Sequence, residues 1–252
     1  MGQQRRISSF LYRRLARWIT CEVQLLGEHR LALNNKFQVN SLQDVFCHPF
    51  YWQLFGWIPQ PPSLVVDLGA HCGHFSMLAD VCFETQFGSC QPQYVMVEPN
   101  PKLSQVIRSN LAQSGLCRRH SIFEGLVGSK RAGFDDLWVC PSNFLSASLV
   151  KGPGTHALKA EYVDLDAAIP PGNIDLLKVD IEGAEYELLD SYPTLLDRVS
   201  RVMIEVHERP GSGPEAIFGT LQAAGLRIKG SPLKNGSATL AMYERTSNGQ
   251  HG

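Results

Sequence analysis

VVDLGAHCGHFSM, residues 65–77, is the stretch on which the fold turns. An apolar, β-branched run ends in Asp67. Gly69 and Gly73 follow, four apart, and the apolar pattern resumes at helical spacing from His74. That order reads as strand, glycine turn, helix. Glycine at 69 and 73 permits positive φ and lets something approach the backbone that a Cβ would block.

Outward from this stretch, strands and helices alternate. Strands are expected at 63–68, 93–97, 120–123, 174–179, 201–206, 226–228 and 239–243. Helices are expected at 74–83, 101–114 (with Pro101 at its start), 184–189 and 214–224. Residues 134–163 read as short β pieces and loop. Strands that are apolar throughout, alternating with helices, imply a parallel sheet covered on both faces. Upstream, residues 8–30 read as helix, and 31–60 are rich in aromatics, closing on the proline group 59–62. We expect a helical, aromatic-rich segment over 1–60 packed on the main domain, the domain over 61–245, and a flexible tail over 246–252.

The 252 residues suffice for one sizeable α/β domain. At 44% hydrophobic and 19% charged, the composition is that of a globular chain. A net charge of −1 gives no general pull toward nucleic acid or anionic lipid, so neither is expected as a partner. Seven scattered cysteines without a C-x-x-C pair argue against a disulfide framework or structural zinc. A reducing, cytoplasmic setting is the simpler expectation. No apolar run reaches the length of a membrane span. Arg5, Arg6, Arg13, Arg14 and Arg17 lie among apolar residues at near-helical spacing. They read as a docking helix, with an organelle-directed or membrane-surface helix as the alternative.

In parallel sheets, ligands bind beyond the carboxyl ends of the strands. The spacing D-x-G-x-x-x-G differs from the G-x-G-x-x-G that seats a pyrophosphate. Asp67 beside the loop favours a cationic ligand, and S-adenosylmethionine carries both a sulfonium and an ammonium. An ordinary tight turn explains the loop equally well. The second strand tips the balance: it ends on Glu98, followed by Pro99 and Asn100. A carboxylate there can accept from both hydroxyls of a ribose, or simply cap the next helix. A further apolar strand delivers Asp180 to its end, with Glu182, Gly183 and Glu185 opening a helix, where acidity also suits the dipole. Glu205 and His207, two apart on a strand, share a face, which makes His207 a base candidate.

VVDLGAHCGHFS, MVEPNP, the VDLD of 163–166, IDLLKVDIEGAEYELL and MIEVH together resemble, in the family's order, the FkbM family of S-adenosylmethionine-dependent methyltransferases. The resemblance covers about residues 37–244. It implies the class I methyltransferase fold: a Rossmann-like, mostly parallel seven-stranded sheet with the last strand antiparallel. It implies methyl transfer, typically to an oxygen of a sugar or secondary metabolite. It implies that Asp67, Gly69, Ala70 and Gly73 form the cofactor loop, that Glu98 holds the ribose, and that Pro99 and Asn100 beside it also contact the cofactor. Asp180, Glu182 and Gly183 match its D-x-E-G signature. The adenine is placed near Glu124, Gly125 and Leu126. His71 stands where the family often has Asn.

The expected mechanism is in-line displacement at a sulfonium methyl, with a neutral leaving group. Asp180 or His207 would take the acceptor's proton, with Glu205 orienting His207. A divalent metal on Asp180, Glu205 and His207 is the lower-ranked alternative. The segment 46–57 would cover the acceptor pocket or simply pack on the domain. Two rival classes remain. One is a nucleotide-dependent oxidoreductase, disfavoured by the missing G-x-G-x-x-G. The other is a cofactor-binding partner subunit without turnover.

Overall fold

The computed structural model describes residues 21–34, 36–129, 132–140, 143–148, 152–209 and 211–246. The Arg-rich start and the end of the expected tail lie outside them. The chain opens with a hairpin, β1 (Cys21–Gln24) and β2 (Arg30–Leu33). This corrects the expectation of helix through residue 30. Leu31 and Leu33 are buried while Arg30 is exposed, an alternation that suits a strand, and Gly27 turns the chain at φ 73°. Two helices follow, α1 (Lys36–Phe46) and α2 (Pro49–Gly56).

Then the alternation begins: β3 (Leu64–Leu68), α3 (His74–Phe87), β4 (Gln93–Glu98), α4 (Pro101–Ser114) and β5 (Arg119–Glu124). An inserted run comes next, β6 (Phe134–Cys140), β7 (Asn143–Ser148) and β8 (His156–Glu161). The chain returns through α5 (Leu165–Ala168), β9 (Leu176–Val179), α6 (Glu185–Ser191) and β10 (Arg201–His207). It ends with α7 (Pro214–Ala223), β11 (Leu226–Ile228), β12 (Leu233–Asn235) and β13 (Ala238–Arg245).

The main sheet has the order β11-β13-β10-β9-β3-β4-β5, with short β12 added against β13. β5, β4, β3, β9 and β10 are parallel, and β13 runs antiparallel to β10. This is the class I methyltransferase arrangement, Rossmann-like, with the last strand reversed. β12 makes the sheet eight-stranded rather than seven. The insertion forms its own antiparallel sheet, β7-β6-β8, over a small core of Leu126, Leu137, Val139, Ala160 and Tyr162.

The strands sort their residues by parity, as a sheet buried on both faces must. Val65, Met96 and Met203 join Leu31, Leu54, Phe55 and Phe75 on one face. Val66, Val95, Leu177 and Ile204 join Tyr186 and Leu188 on the other. The hairpin, α1 and α2 thus share a core with the sheet. Chain crossovers leave β3 toward β4 on one side and reach β9 on the other. The switch point therefore lies between the tips of β3 and β9, where a crevice is expected. Among the described residues no helix is long and apolar enough to cross a membrane.

Candidate active site

Gly69 follows the tip of β3 at φ 78°. A Cβ there would lie 1.7 Å from the backbone oxygen of Asp180 at the end of β9. Gly73 has φ 77°, and its Cβ would meet the Ile107 side chain at 3.2 Å. What a side chain would block is first of all the protein itself. Gly125 is similar: a Cβ would stand 2.5 Å from the Glu161 oxygen. The amides of Gly69 and Ala70 both donate to the Val97 carbonyl, fixing the loop to β4 at 3.0 Å.

Asp67 does not present a free charge to a ligand, contrary to the expectation. It is fully buried and lines neither cavity described below. Register places Lys178 of β9 directly beside it. The Lys178 Nζ lies 3.2 Å from Asp67 Oδ1 and 3.4 Å from Asp180 Oδ2, and donates to the Gly69 carbonyl at 2.6 Å. Ser76 Oγ donates to Asp67 Oδ2 at 2.7 Å. Burial works against the ammonium, but these two carboxylates hold the Lys178 pKa above its ordinary value.

Two cavities open at the switch point. The first is a mainly apolar slot walled by Val97, Leu103, Leu126, Val127, Leu137 and Ile181. Gly69, Pro99 and Gly125 border it, and Glu98 is its buried acid. Glu98 accepts from the backbone amides of His71 at 2.8 Å and Asn100 at 2.9 Å. Burial pushes its carboxyl up to about 7, and those two amides only partly offset this.

Two expected contacts are corrected. Asn100 lies outside the slot; it is the buried N-cap of α4, accepting from the Lys102 amide at 3.1 Å. Glu124 also lies outside, 44% exposed and 3.9 Å from Arg108 Nη2, because β5 is the sheet's edge strand.

The second cavity is polar. Ala70, Lys178, Glu205 and Asn235 line it from the sheet side, and Asn40, Ser41, Asp44, His48 and Tyr51 from the first two helices and their junction. Of the aromatic segment, then, Tyr51 and His48 face the cavity, while Phe50 and Phe55 pack in the core. His71, Asp180 and Glu182 line both cavities and form the seam between them. His71 at φ 53° and Glu182 at φ 55° are both left-handed non-glycine residues, conformations that cluster at functional sites. Ser41 Oγ sits 3.0 Å from His71 Nδ1 and 2.9 Å from His74 Nδ1. His74 is fully buried, which lowers its pKa to about 3 and keeps it neutral.

His207 is arranged differently from the expectation. Its Nδ1 lies 2.9 Å from Glu185 Oε1, and its Nε2 lies 3.5 Å from Glu182 Oε2. Glu185, not Glu205, orients the ring. Burial opposes the imidazolium, yet Glu185, Glu182 and Asp180 raise the His207 pKa to about 9. At neutral pH the ring is charged and is no free base. Glu205 instead accepts from Asn235 Nδ2 at 3.3 Å; burial, then the nearby Asp180, push its carboxyl up to about 7. Ligand atoms of Asp180, Glu182 and His207 lie within 4.8 Å of one another, so the converging set has Glu182 where Glu205 was expected.

Glu185 is fully buried and also accepts from the amides of Ile181 at 3.4 Å and Gly183 at 3.1 Å. The sequence reading passed over Lys178 and took Glu185 only as acidity suited to the helix dipole. Lys178 carried a signal, a charge inside the apolar strand Leu176–Val179. Leu137 had none, since it comes from the inserted sheet.

A family model described as the methyltransferase FkbM domain matches residues 67–228. Among solved structures, the chain is similar to M. capricolum TrmK in complex with S-adenosyl-homocysteine, at 12% identity and TM-score 0.47, covering 81% of this chain and 71% of that one. An O-methyltransferase family protein from Burkholderia thailandensis gives 12% and 0.49, over 84% and 59%. A TehB-like SAM-dependent methyltransferase from Corynebacterium glutamicum gives 10% and 0.44, over 83% and 96%. No curated protein sequence matches.

Proposed function

The chain belongs to the FkbM family of S-adenosylmethionine-dependent methyltransferases, and from that premise we propose that it methylates a hydroxyl group on a sugar or secondary metabolite. The observation that carries this reading is the pair of cavities sharing His71, Asp180 and Glu182 as a common wall. An apolar slot with a buried carboxylate suits an adenosine, its base among Leu103, Leu126 and Val127 and its ribose on Glu98. A polar cavity lined by Asn40, Ser41, Asp44, Glu205 and Asn235 suits a hydroxyl-rich acceptor. The sulfonium methyl would then face the acceptor across the seam.

The chemistry asks little beyond alignment. The acceptor oxygen attacks the methyl carbon, the carbon–sulfur bond breaks, and a neutral thioether leaves. Holding both partners in line supplies about 7–11 kcal/mol. A placed proton acceptor adds roughly 10²- to 10⁴-fold. Glu205, a carboxylate on the polar cavity that accepts from Asn235 Nδ2, takes the proton in this reading.

The test has two arms. Calorimetry with S-adenosylhomocysteine and NAD should show heat for the first alone. Incubation with methyl-labelled cofactor and a panel of sugars and metabolite extract should give products heavier by one methyl. Cofactor binding with no labelled product from any acceptor would leave a binding subunit; NAD binding alone would make the chain an oxidoreductase.

A further inference from the structure

We propose that Asp180, Glu182 and His207 bind one divalent transition-metal ion of the Mn²⁺ type on the seam between the two cavities. Their ligand atoms already lie within 4.8 Å of one another, although they come from the ends of two strands and the first residues after one of them. Two carboxylates and one imidazole, with room for water or a hydroxyl, form an open O/N site. The fold does not hold Glu182 in this cluster: its side chain is 63% exposed and free to turn to solvent, yet it faces His207.

The histidine carries the second line of argument. A ligating imidazole is normally fixed by a carboxylate on its other nitrogen. Glu185 does this here: fully buried, it holds Nδ1 at 2.9 Å and leaves Nε2 directed toward Glu182. The other Glu185 oxygen is buried and has no hydrogen-bond partner among the described residues. Negative charge is therefore in excess around this point. Asp67, Asp180, Glu182, Glu185 and Glu205 stand against Lys178 and His207, and the single ammonium of Lys178 is shared among Asp67, Asp180 and the Gly69 carbonyl. A divalent ion meets that excess where Asp180 and Glu182 border both cavities. Its open positions are then within the polar cavity, able to take an acceptor oxygen. The metal site itself does not depend on which group is methylated.

The experiment uses the full chain, freed of metal by chelator and titrated with MnCl₂ under electron paramagnetic resonance. One ion per chain should bind. Spin-echo modulation from a directly ligated imidazole nitrogen should appear and vanish in His207→Gln. Glu182→Gln, at an exposed side chain that leaves the fold intact, should weaken binding about tenfold or more. Glu208→Gln, at a surface side chain that pairs with Lys234, should bind as the parent does. S-adenosylhomocysteine calorimetry on the same metal-free protein keeps the two readings apart, since the cofactor can bind whether or not the metal does. Absence of Mn²⁺ binding, binding without the nitrogen signature, or equal affinity in Glu182→Gln overturns the proposal.

Discussion

Replacing Gly69 by alanine isolates what the glycine loop is for. Two costs arise there, and neighbouring glycines separate them. At φ 78° an alanine is strained by about 1–2 kcal/mol. The lost freedom of the unfolded chain returns about 0.4–1 kcal/mol. The larger cost is contact. A Cβ at 1.7 Å from the Asp180 oxygen forces the tips of β3 and β9 apart by more than an ångström. That movement breaks the Asp180 amide bond to the Leu68 carbonyl (3.1 Å) and strains the Lys178 bond to the Gly69 carbonyl (2.6 Å). At about 0.5–1.5 kcal/mol for the first and 1.5–3 for the second, the total reaches roughly 3–5 kcal/mol. Gly183→Ala carries strain alone, with φ 101° and nothing within 4 Å, and should cost about 1 kcal/mol. Gly125→Ala carries contact alone and should fall between. Urea unfolding followed by circular dichroism measures all three. A Gly69→Ala loss within about 1 kcal/mol of Gly183→Ala would show that the strand tips have room, and that a ligand rather than Asp180 needs the glycine.

Further outcomes follow from the buried charges. Glu98→Ala should weaken S-adenosylhomocysteine binding at least about tenfold, since charge-assisted bonds are worth roughly 1.5–3 kcal/mol each; an unchanged dissociation constant means that Glu98 only braces the His71 and Asn100 amides. Because burial pushes this carboxyl to about 7, affinity should be level near pH 8 and fall as pH drops through 7, and a flat calorimetric profile from pH 6 to 8 contradicts this. Lys178→Met leaves Asp67 buried and unpaired, a loss of about 3–5 kcal/mol in unfolding free energy that Asp67→Asn in the same chain should largely restore. His74 has a folded pKa of about 3, below its unfolded value, so the stability it contributes is full above about pH 6.5 and lost as pH falls. The slope it adds is about 1.4 kcal/mol per pH unit below that point, and it should be missing in His74→Gln; parallel stability curves for the two proteins refute the assignment.

The centre of the sheet was legible because β3, β4, β9 and β10 each read as an apolar run that ends at a predictable edge. That is why Glu98 and Asp180 can be placed at strand tips from the sequence alone. The partners of those residues were not legible, because pairing depends on register between strands far apart in sequence. Asp67 reads as a free acid until β9 is laid beside β3 and Lys178 falls next to it, 111 positions downstream. Glu205 looks like the orienting group for His207 because alternation puts them on one face. Yet the ring sits at the strand's end, where Glu185 from the next element over reaches it first. Glu124 failed for the opposite reason: adjacency to Gly125 says nothing about an edge strand, whose side chains can turn outward. The helix expected to run through residue 30 failed where its apolar period was borrowed from the residues before it, although the alternation of Leu31 and Leu33 was already in the sequence.

The glycines show the same limit at closer range. At a switch point, two strand tips converge before any ligand arrives. Asp180 closes against Gly69, and this contact brings its side chain onto the wall shared by both cavities. The glycine therefore serves the site indirectly: it lets β9 end near enough to β3 for one carboxylate to face the slot and the polar cavity together. Any larger residue at 69 should move Asp180 off the seam, and disturb cofactor and metal binding in the same variant, even in a chain that still folds.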